Sequence, residues 1–274
     1  MKLLEGGLTA EPTGLAVRLL GPVRLGAGRA EATLSPKVRQ VLAVLALRPG
    51  TVVTHDTLIA ELWAEDPPRS ATTTMQTYIY QLRQAIDGLD GRESGGRVLR
   101  TESPGYSLCE DIVAIDLARF RALAAKARAH LYDDPEITVS LVRRALGLVH
   151  GDPMMDVALG QVLTASAVRL GEEIMAAQQL AIEAQMRLAR YSEVIVELHE
   201  LCGRYPLREW FHYQLMDALA RTGRRVEALE VYAELQRQLR GELGIDPSQS
   251  FQRLHMQILS GADDDPGLPG SRPA

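Results

Sequence analysis

The hydrophobic and polar residues between Ser70 and Ile86 recur with the period of an α-helix. Apolar side chains at three- and four-residue intervals fall on one stripe, which comprises Ala71, Met75, Tyr78, Ile79, Leu82 and Ile86. Such a stripe is typical of a helix that packs on a core. Two prolines precede Ser70, a residue type that favours the N-cap, so the pattern predicts a helix that begins there.

The opposite face of this predicted helix consists almost wholly of uncharged side chains that can form hydrogen bonds. Its centre comprises Thr73, Thr77, Tyr80 and Gln84, and its edges comprise Thr74, Gln76, Gln81 and Arg83. Gln and Arg can read base edges in the major groove, a Thr methyl can contact the thymine methyl, and hydroxyls can bind phosphates. An ordinary solvated face is the alternative, although it usually carries more Lys and Glu.

The segments around this helix predict a winged helix-turn-helix domain. Strand-like runs at 15–20, 23–25 and 31–34 precede two predicted helices, which begin after Ser35 and Thr54. Downstream, strand-like runs at 97–101 and 106–109 flank Glu102-Ser103-Pro104-Gly105, a sequence typical of a tight hairpin. This order of elements predicts an α+β DNA-binding domain over residues 15–110, with the third helix as the reader.

The second half of the chain predicts an all-α domain over residues 111–260. Apolar residues recur at helical spacing, with breaks at 133–135, 151–153, 190–192, 205–206, 222–223 and 244–247. The run Glu193-Val194-Ile195-Val196-Glu197 lies 34 residues before Glu227-Ala228-Leu229-Glu230-Val231, which is the period of a tetratricopeptide repeat. Stacked helix pairs of this kind favour protein binding or dimerisation. A helical domain that merely packs against the winged helix is the alternative.

Composition agrees with two globular domains, since the chain has 274 residues, 46% hydrophobic and 24% charged. The absence of a long apolar run predicts a cytoplasmic protein without a membrane partner. Cys109 and Cys202 lie at no metal-ligand spacing, so we expect reduced thiols and no metal. The ends, residues 1–14 and 261–274, are rich in Gly, Pro and charge and are expected to be flexible.

The charge balance limits the expected affinity for DNA. Residues 1–110 carry 12 Lys and Arg against 12 Asp and Glu, and residues 111–274 carry 18 against 23. Because phosphate neutralisation supplies most non-specific affinity, intrinsic binding should be modest unless cations cluster locally. The candidate cations are Lys37, Arg39, Arg69, Arg83, Arg97 and Arg100, of which the last two are expected on the strands of the wing. A second copy or the transcription machinery would then have to raise occupancy.

Several motifs of the chain resemble those of the Streptomyces antibiotic regulatory proteins. In the first half they are Gly21-Pro22, Ser35-Pro36-Lys37, Gln40-Val41-Leu42, Leu58-Ile59-Ala60-Glu61-Leu62-Trp63, Asp66-Pro67-Pro68, Ser70-Ala71, Tyr78-Ile79-Tyr80-Gln81-Leu82-Arg83 and Pro104-Gly105-Tyr106. In the second half they are Asp116-Leu117-Ala118-Arg119-Phe120, Tyr205-Pro206-Leu207-Arg208-Glu209, Thr222-Gly223-Arg224, Glu227-Ala228-Leu229 and Glu242-Leu243-Gly244-Ile245-Asp246-Pro247. The latter look like that family's bacterial transcriptional activation domain, and the resemblance covers about residues 16–259.

The resemblance implies a winged helix of the response-regulator type that binds direct repeats in double-stranded promoter DNA, often as a head-to-tail homodimer. It further implies activation of an antibiotic biosynthesis gene cluster through RNA polymerase holoenzyme, including its sigma factor. The loop 64–69 is where such winged helices contact polymerase, which points to Trp63, Glu65 and Asp66. In the alternative interpretation, the acids and the prolines of this loop only make a turn.

No motif indicates an enzyme. The histidines His55, His130, His150, His199, His212 and His255 have no ligand spacing, and the glycines between Gly88 and Gly96 lack the order of a phosphate-binding loop. No cofactor is therefore expected. The second functional hypothesis is a sensor or adaptor, in which the tetratricopeptide-like domain binds a ligand or partner and gates DNA binding.

Overall fold

The computed structural model describes residues 14–91 and 94–261, so most of both predicted flexible ends lies outside the described residues. The described residues form two compact units. The first unit comprises the chain up to Lys126 together with Leu141–Ala177, and the second comprises Ala127–Ser140 and the chain from Gln178 onward. Three helices contribute residues to both units, namely Asp116–His130, Pro135–Leu146 and Gln161–Arg187.

The first unit begins with a four-stranded sheet. Its strands are β1 (Leu15–Arg18), β2 (Arg24–Ala27), β3 (Ala30–Glu31) and β7 (Ala114–Ile115), in the order β3-β2-β1-β7. Strand β1 is antiparallel to β2 and parallel to β7. Strand β3 is shorter than the sequence predicted, since the predicted run 31–34 contributes only Glu31 to it.

Three helices follow the first strands and pack on one another: α1 (Pro36–Ala46), α2 (His55–Trp63) and α3 (Ala71–Asp90). Thr54 caps α2, because its hydroxyl accepts a hydrogen bond from the Thr57 N–H at 3.2 Å. Gly91 follows the last residue of α3 as its C-cap, and its φ of +64° lies in the left-handed region that glycine adopts readily. The three predicted helices are thus present.

The wing consists of β5 (Leu99–Glu102) and β6 (Gly105–Leu108), and β4 (Val53–Thr54) pairs with β6 to complete a second sheet. A short helix, α4 (Gly95–Val98), precedes the wing. Gly95 must lack a side chain there, because a Cβ would lie 2.6 Å from the Arg83 carbonyl oxygen on α3. Arg97 lies on α4, whereas the sequence predicted it on a strand of the wing.

The helices after the wing are α5 (Asp116–His130), α6 (Pro135–Leu146), α7 (Gln161–Arg187), α8 (Tyr191–Arg204), α9 (Glu209–Arg221), α10 (Arg225–Leu243) and α11 (Gln249–Ser260). All six predicted breaks fall between or at the ends of these helices. In the second unit α8 packs on α9, α9 on α10, and α10 on α11. Because α8 and α10 begin 34 residues apart, these four helices form two tetratricopeptide-like pairs. The predicted fold class is confirmed.

Candidate nucleic-acid interface

Helix α3 separates its two faces as the sequence predicted. Ala71, Met75, Ile79, Leu82 and Ile86 are buried in the first unit. The exposed residues on the other side are Thr72, Thr73, Gln76, Thr77, Tyr80, Gln81 and Gln84, which we call the reader face. Tyr80 is 62% exposed, an unusual state for a large aromatic residue. The reader face carries no charge, and its amide and hydroxyl groups can donate and accept hydrogen bonds.

The reader face makes no hydrogen bond to another element within the described chain. The Thr77 hydroxyl donates to the Thr73 carbonyl oxygen at 3.0 Å, a bond within the helix, and Thr77 as a whole is exposed. Ser70 precedes the helix as predicted, but its hydroxyl makes no capping bond to the backbone. The polar groups of the reader face are therefore available to an external partner.

Arg83 lies at the edge of α3 and is bonded to the wing. Its guanidinium donates to the Leu99 carbonyl oxygen from Nε at 3.1 Å and from Nη2 at 2.8 Å, and to the Thr101 hydroxyl at 2.8 Å. The same group lies 6.0 Å from the centroid of the Tyr106 ring. Arg83 thus fixes β5 against the reader helix through its Nε and Nη2 donors.

Two further predicted cations also have partners inside the first unit. The Lys37 ammonium donates to the Leu62 carbonyl oxygen at 2.5 Å and to Gln40 Oε1 at 3.2 Å. The Arg39 guanidinium forms an ion pair with Asp156. Lys37 thus links α1 to α2, and Arg39 links α1 to the segment before α7, so we assign neither of them to DNA.

The remaining predicted cations are exposed. Arg69 lies in the loop before α3, Arg97 on α4 and Arg100 on β5 of the wing. Arg100 also donates from Nη2 to the Cys109 sulfur at 3.3 Å, a weak contact. Three exposed arginines thus accompany an uncharged helix face.

The loop 64–69 between α2 and α3 is exposed throughout, including Glu65 and Asp66. It begins at Ala64, whose φ of +53° turns the chain sharply after α2. Trp63 is half-buried and stacks on Tyr78 of α3, with ring centroids 6.3 Å apart. This stack anchors one end of the loop and leaves its two carboxylates in solvent.

Three carboxylates, Glu61, Asp116 and Asp156, were not singled out by the sequence. Each connects the winged helix to residues of the first unit that lie beyond the wing in the chain. We call these three residues the carboxylate seam. Asp116 and Glu61 belong to motifs of the resemblance, but no spacing of residues identifies their partners.

Glu61 is 3% exposed and lies on α2. Its carboxylate accepts hydrogen bonds from the N–H groups of Gly160, Val162 and Leu163 at 2.8, 2.7 and 3.2 Å, which are the unpaired donors at the start of α7. Gly160 is required for this approach, because a Cβ would lie 2.6 Å from the Glu61 carboxylate carbon. Glu61 therefore caps a helix that follows it by about a hundred residues.

Asp116 and Asp156 hold the turn after β1. Asp116 accepts from the N–H groups of Leu19 and Leu20 at 2.9 and 3.0 Å. Asp156 accepts from the Val23 N–H at 2.7 Å and pairs with Arg24 at 2.8 Å. These residues fasten the 19–23 turn to the start of α5 and to the segment before α7.

The two aspartates differ in pKa because their surroundings differ. Burial raises the pKa of Asp116 above its ordinary value, although the N–H groups of Leu20 and Leu19 oppose that shift. Burial also acts to raise the pKa of Asp156, but the Val23 N–H and the guanidiniums of Arg24 and Arg39 outweigh it and lower the pKa. Burial thus outweighs the hydrogen bonds at Asp116, whereas the hydrogen bonds and the two guanidiniums outweigh burial at Asp156.

The described residues contain histidines, cysteines and carboxylates outside the reader face and the carboxylate seam. No group of three or more His, Cys, Asp or Glu residues there is arranged to hold a metal ion. Cys109 and Cys202 are buried free thiols, and burial raises the pKa of Cys202 to about 12. Within the same part of the chain, no helix is long and apolar enough to cross a membrane.

Comparisons with known proteins match both halves of the chain. Residues 115–259 match the family model of the bacterial transcriptional activator domain, and residues 29–108 match that of the C-terminal part of transcriptional regulatory proteins. The regulatory protein DnrI of Streptomyces peucetius is 36% identical over 264 residues, which cover 94% of this chain and 96% of DnrI.

Two larger proteins contain a region similar to this chain. The regulatory protein AfsR of Streptomyces coelicolor is 38% identical over 261 residues, covering 94% of this chain but 25% of AfsR. A solved structure of Mycobacterium tuberculosis EmbR in complex with a low affinity phosphopeptide superposes with a TM-score of 0.82 at 31% identity. That match covers 90% of this chain and 65% of the EmbR chain.

The fold and the matched domains define a winged helix-turn-helix transcriptional regulator with a helical activator domain. The chain belongs to the Streptomyces antibiotic regulatory protein family of transcriptional activators, as the match to DnrI over nearly the full length of both proteins shows.

Proposed function

We propose that this activator recognises promoter DNA with the reader face of α3. The observation that carries the proposal is the exposure of seven uncharged residues on one side of a helix whose other side is buried in a winged-helix core. In this fold class a helix of that kind enters the major groove. Gln76, Gln81 and Gln84 supply amides that suit adenine, and the methyl groups of Thr73 and Thr77 suit thymine.

The DNA backbone is contacted by few cations in this proposal. Among the predicted cations, Arg69, Arg97 and Arg100 are exposed, while Lys37, Arg39 and Arg83 are bonded within the protein. With about three phosphate contacts, the logarithm of the binding constant should fall with the logarithm of salt concentration with a slope of about −3 per protomer. A single protomer should therefore bind weakly at physiological salt.

Pairing on direct repeats compensates for this weakness. Two protomers bound side by side gain affinity from their mutual contact, since the second binding event is then effectively intramolecular. We propose that the chain acts as a homodimer on direct repeats beside a promoter of an antibiotic biosynthesis gene cluster, in the bacterial cytoplasm. The family membership and the scarcity of exposed cations support this arrangement.

The loop 64–69 is the proposed contact with RNA polymerase holoenzyme. Glu65 and Asp66 are exposed, and Trp63 anchors the loop on Tyr78. A fixed loop with two free carboxylates complements a basic surface of a sigma factor, and electrostatic complementarity of this kind increases the rate and specificity of docking.

Footprinting of the purified protein on the intergenic promoters flanking its own gene tests the proposal. The experiment is run at two salt concentrations, with and without RNA polymerase holoenzyme. The proposal predicts protection of a direct repeat beside the promoter, with stronger protection when polymerase is present. No protection at low salt with polymerase would refute it.

A pair of variants separates the DNA contact from the polymerase contact. Asp66→Ala should leave the affinity for promoter DNA unchanged and reduce transcription in vitro severalfold, because it removes only a loop carboxylate. Asp111→Ala, which removes another exposed carboxylate, is the matched control and should affect neither quantity. Equal loss of DNA binding and transcription in Asp66→Ala would contradict the proposed role of the loop.

A further inference from the structure

The outward face of the four-stranded sheet carries a groove of about 560 Å³. It adjoins a smaller cavity of about 220 Å³, with which it shares Arg18, Asp116, Leu148 and His150. All of these residues belong to the first unit. Small-molecule sites in proteins are typically clefts of about 300–1,000 Å³, so the groove is large enough for a small organic ligand.

The floor of the groove is flat because three neighbouring strands present very small residues in register. Ala16 of β1 pairs with Gly26 of β2 on one side and with Ala114 of β7 on the other. Side chains alternate along a strand, so Ala16 faces outward while Leu15 and Val17 are buried on the core face. A Cβ at Gly26 would lie 2.8 Å from the Ala30 carbonyl oxygen, so this position requires glycine.

The walls of the groove are predominantly basic. The larger groove is lined by Arg18, Arg29, Arg119 and His150, and the smaller cavity adds Arg24. The lining contains two acids, Glu31 and Asp116, and both already have partners. Glu31 pairs with Arg18 and Arg24, and the Asp116 carboxylate accepts backbone N–H groups.

Arg29 is the best placed of these cations to bind an external anion. It lies at the tip of the hairpin between β2 and β3, its side chain is exposed, and it makes no hydrogen bond or ion pair within the described part of the chain. Leu148, a half-buried apolar residue, also lines the groove. The groove therefore combines a flat floor of small residues, an apolar edge and guanidinium groups.

We propose that this groove is a binding site for a small planar organic anion, such as an aromatic carboxylate. The row of Ala114, Ala16 and Gly26 accepts a flat ring, and a guanidinium at the rim binds its carboxylate through paired hydrogen bonds. The site lies on the N-terminal sheet and uses no residue of the reader face or of the loop 64–69. It is therefore independent of the DNA and polymerase contacts proposed above.

Ligand-observed NMR titration of the full chain with 2-naphthoate tests this site. The neutral isostere 2-naphthamide and inorganic phosphate serve as the other probes. We expect 2-naphthoate to bind with a Kd of about 1 mM or lower, and each of the other probes to bind at least about tenfold more weakly. Absence of 2-naphthoate binding at several millimolar, or equal binding of the amide or of phosphate, would overturn the proposal.

Two variants with matched controls locate the binding. Ala114→Phe places a ring over the floor and should abolish 2-naphthoate binding, whereas Ala233→Phe, on the exposed surface of α10, should leave it unchanged. Arg29→Gln should weaken binding about fivefold or more, and Arg253→Gln, which removes another exposed arginine, should not. If Ala114→Phe loses its native melting transition, the result for Arg29→Gln decides the test. Wild-type affinity for 2-naphthoate in folded Arg29→Gln would overturn the proposed site.

Discussion

The reader face and the carboxylate seam are both made of polar side chains on the same winged-helix scaffold, but they are bonded differently. The reader face is exposed, and its groups make no hydrogen bond to another element of the described chain. The seam carboxylates accept backbone N–H groups from distant segments, and Glu61 is almost fully buried. The polar groups of the reader face thus keep their hydrogen-bonding capacity for an external partner, whereas those of the carboxylate seam are bonded to distant parts of the chain.

Truncation of the chain after Glu110 should cause the largest loss in the free energy of unfolding. The fragment would retain the whole reader face but lose Asp116, Asp156 and the α7 donors that surround Glu61. We expect the free energy of unfolding to fall by about 5 kcal/mol or more, a large part of the roughly 5–15 kcal/mol typical of a domain. Urea denaturation followed by circular dichroism measures it, and a fragment as stable as the first unit of the full chain would contradict the seam's role.

Glu61→Ala should produce the second largest effect. The substitution leaves the N–H groups of Gly160, Val162 and Leu163 without their acceptor in a buried place. We expect a loss of about 3 kcal/mol in the free energy of unfolding, since an unsatisfied buried donor costs roughly 1–3 kcal/mol. Glu65→Ala, four residues along and exposed, is the control and should change stability by less than about 0.5 kcal/mol.

The reader face could be predicted from the sequence, while the seam could not. The two faces of α3 follow from a 3.6-residue period that is visible within one segment, and so does the burial of Met75 and Ile79. The bonds from Glu61 to Gly160 and from Asp116 to Leu19 join residues about a hundred positions apart. No local pattern of charge or hydrophobicity encodes such a pairing.

The contacts of the basic residues could not be predicted for the same reason, because they too depend on tertiary structure. Arg83 and Lys37 have the residue type that suits phosphate contacts, so the sequence assigned them to DNA. Within the protein, Arg83 donates to the Leu99 carbonyl oxygen and Lys37 to the Leu62 carbonyl oxygen, whose positions depend on how the wing and α2 pack. Residue type indicates what a side chain can bind, and tertiary structure decides which partner it reaches.

Arg83→Ala should cause an intermediate loss of stability. Its effect on DNA affinity should differ from that of substitutions on the reader face. Loss of its bonds to Leu99 and Thr101 releases the wing and should lower the free energy of unfolding by about 1.5 kcal/mol. Because Arg83 acts by positioning the wing, promoter DNA and scrambled DNA should lose affinity by the same factor. Gel-shift titrations of both duplexes measure this, and loss confined to the promoter would place Arg83 among the base-reading residues.

Acidification should have the smallest effect, and it should act on the second unit. Burial lowers the pKa of His212, against the opposing effects of Pro206, Glu209 and Glu234, and it also lowers the pKa of His255. The unfolded state then binds more protons near the ordinary histidine pKa, so stability falls as pH drops through about 6.5. Calorimetry should show a melting temperature that falls between pH 7.5 and pH 5.5, and the fall should be smaller in His212→Asn. An equally large fall in that variant would exclude His212 as a cause of the pH dependence.

The central claim, that the reader face reads promoter DNA, is tested most directly by Gln81→Ala, with Gln257→Ala on the exposed surface of α11 as control. Affinities for the promoter repeat and for a scrambled duplex are measured at one salt concentration, together with melting temperatures. We predict a loss of about 2 kcal/mol for the repeat alone, with melting and scrambled binding unchanged, because one amide-to-base contact is removed. Wild-type affinity for the repeat, or an equal loss on both duplexes, would contradict the claim.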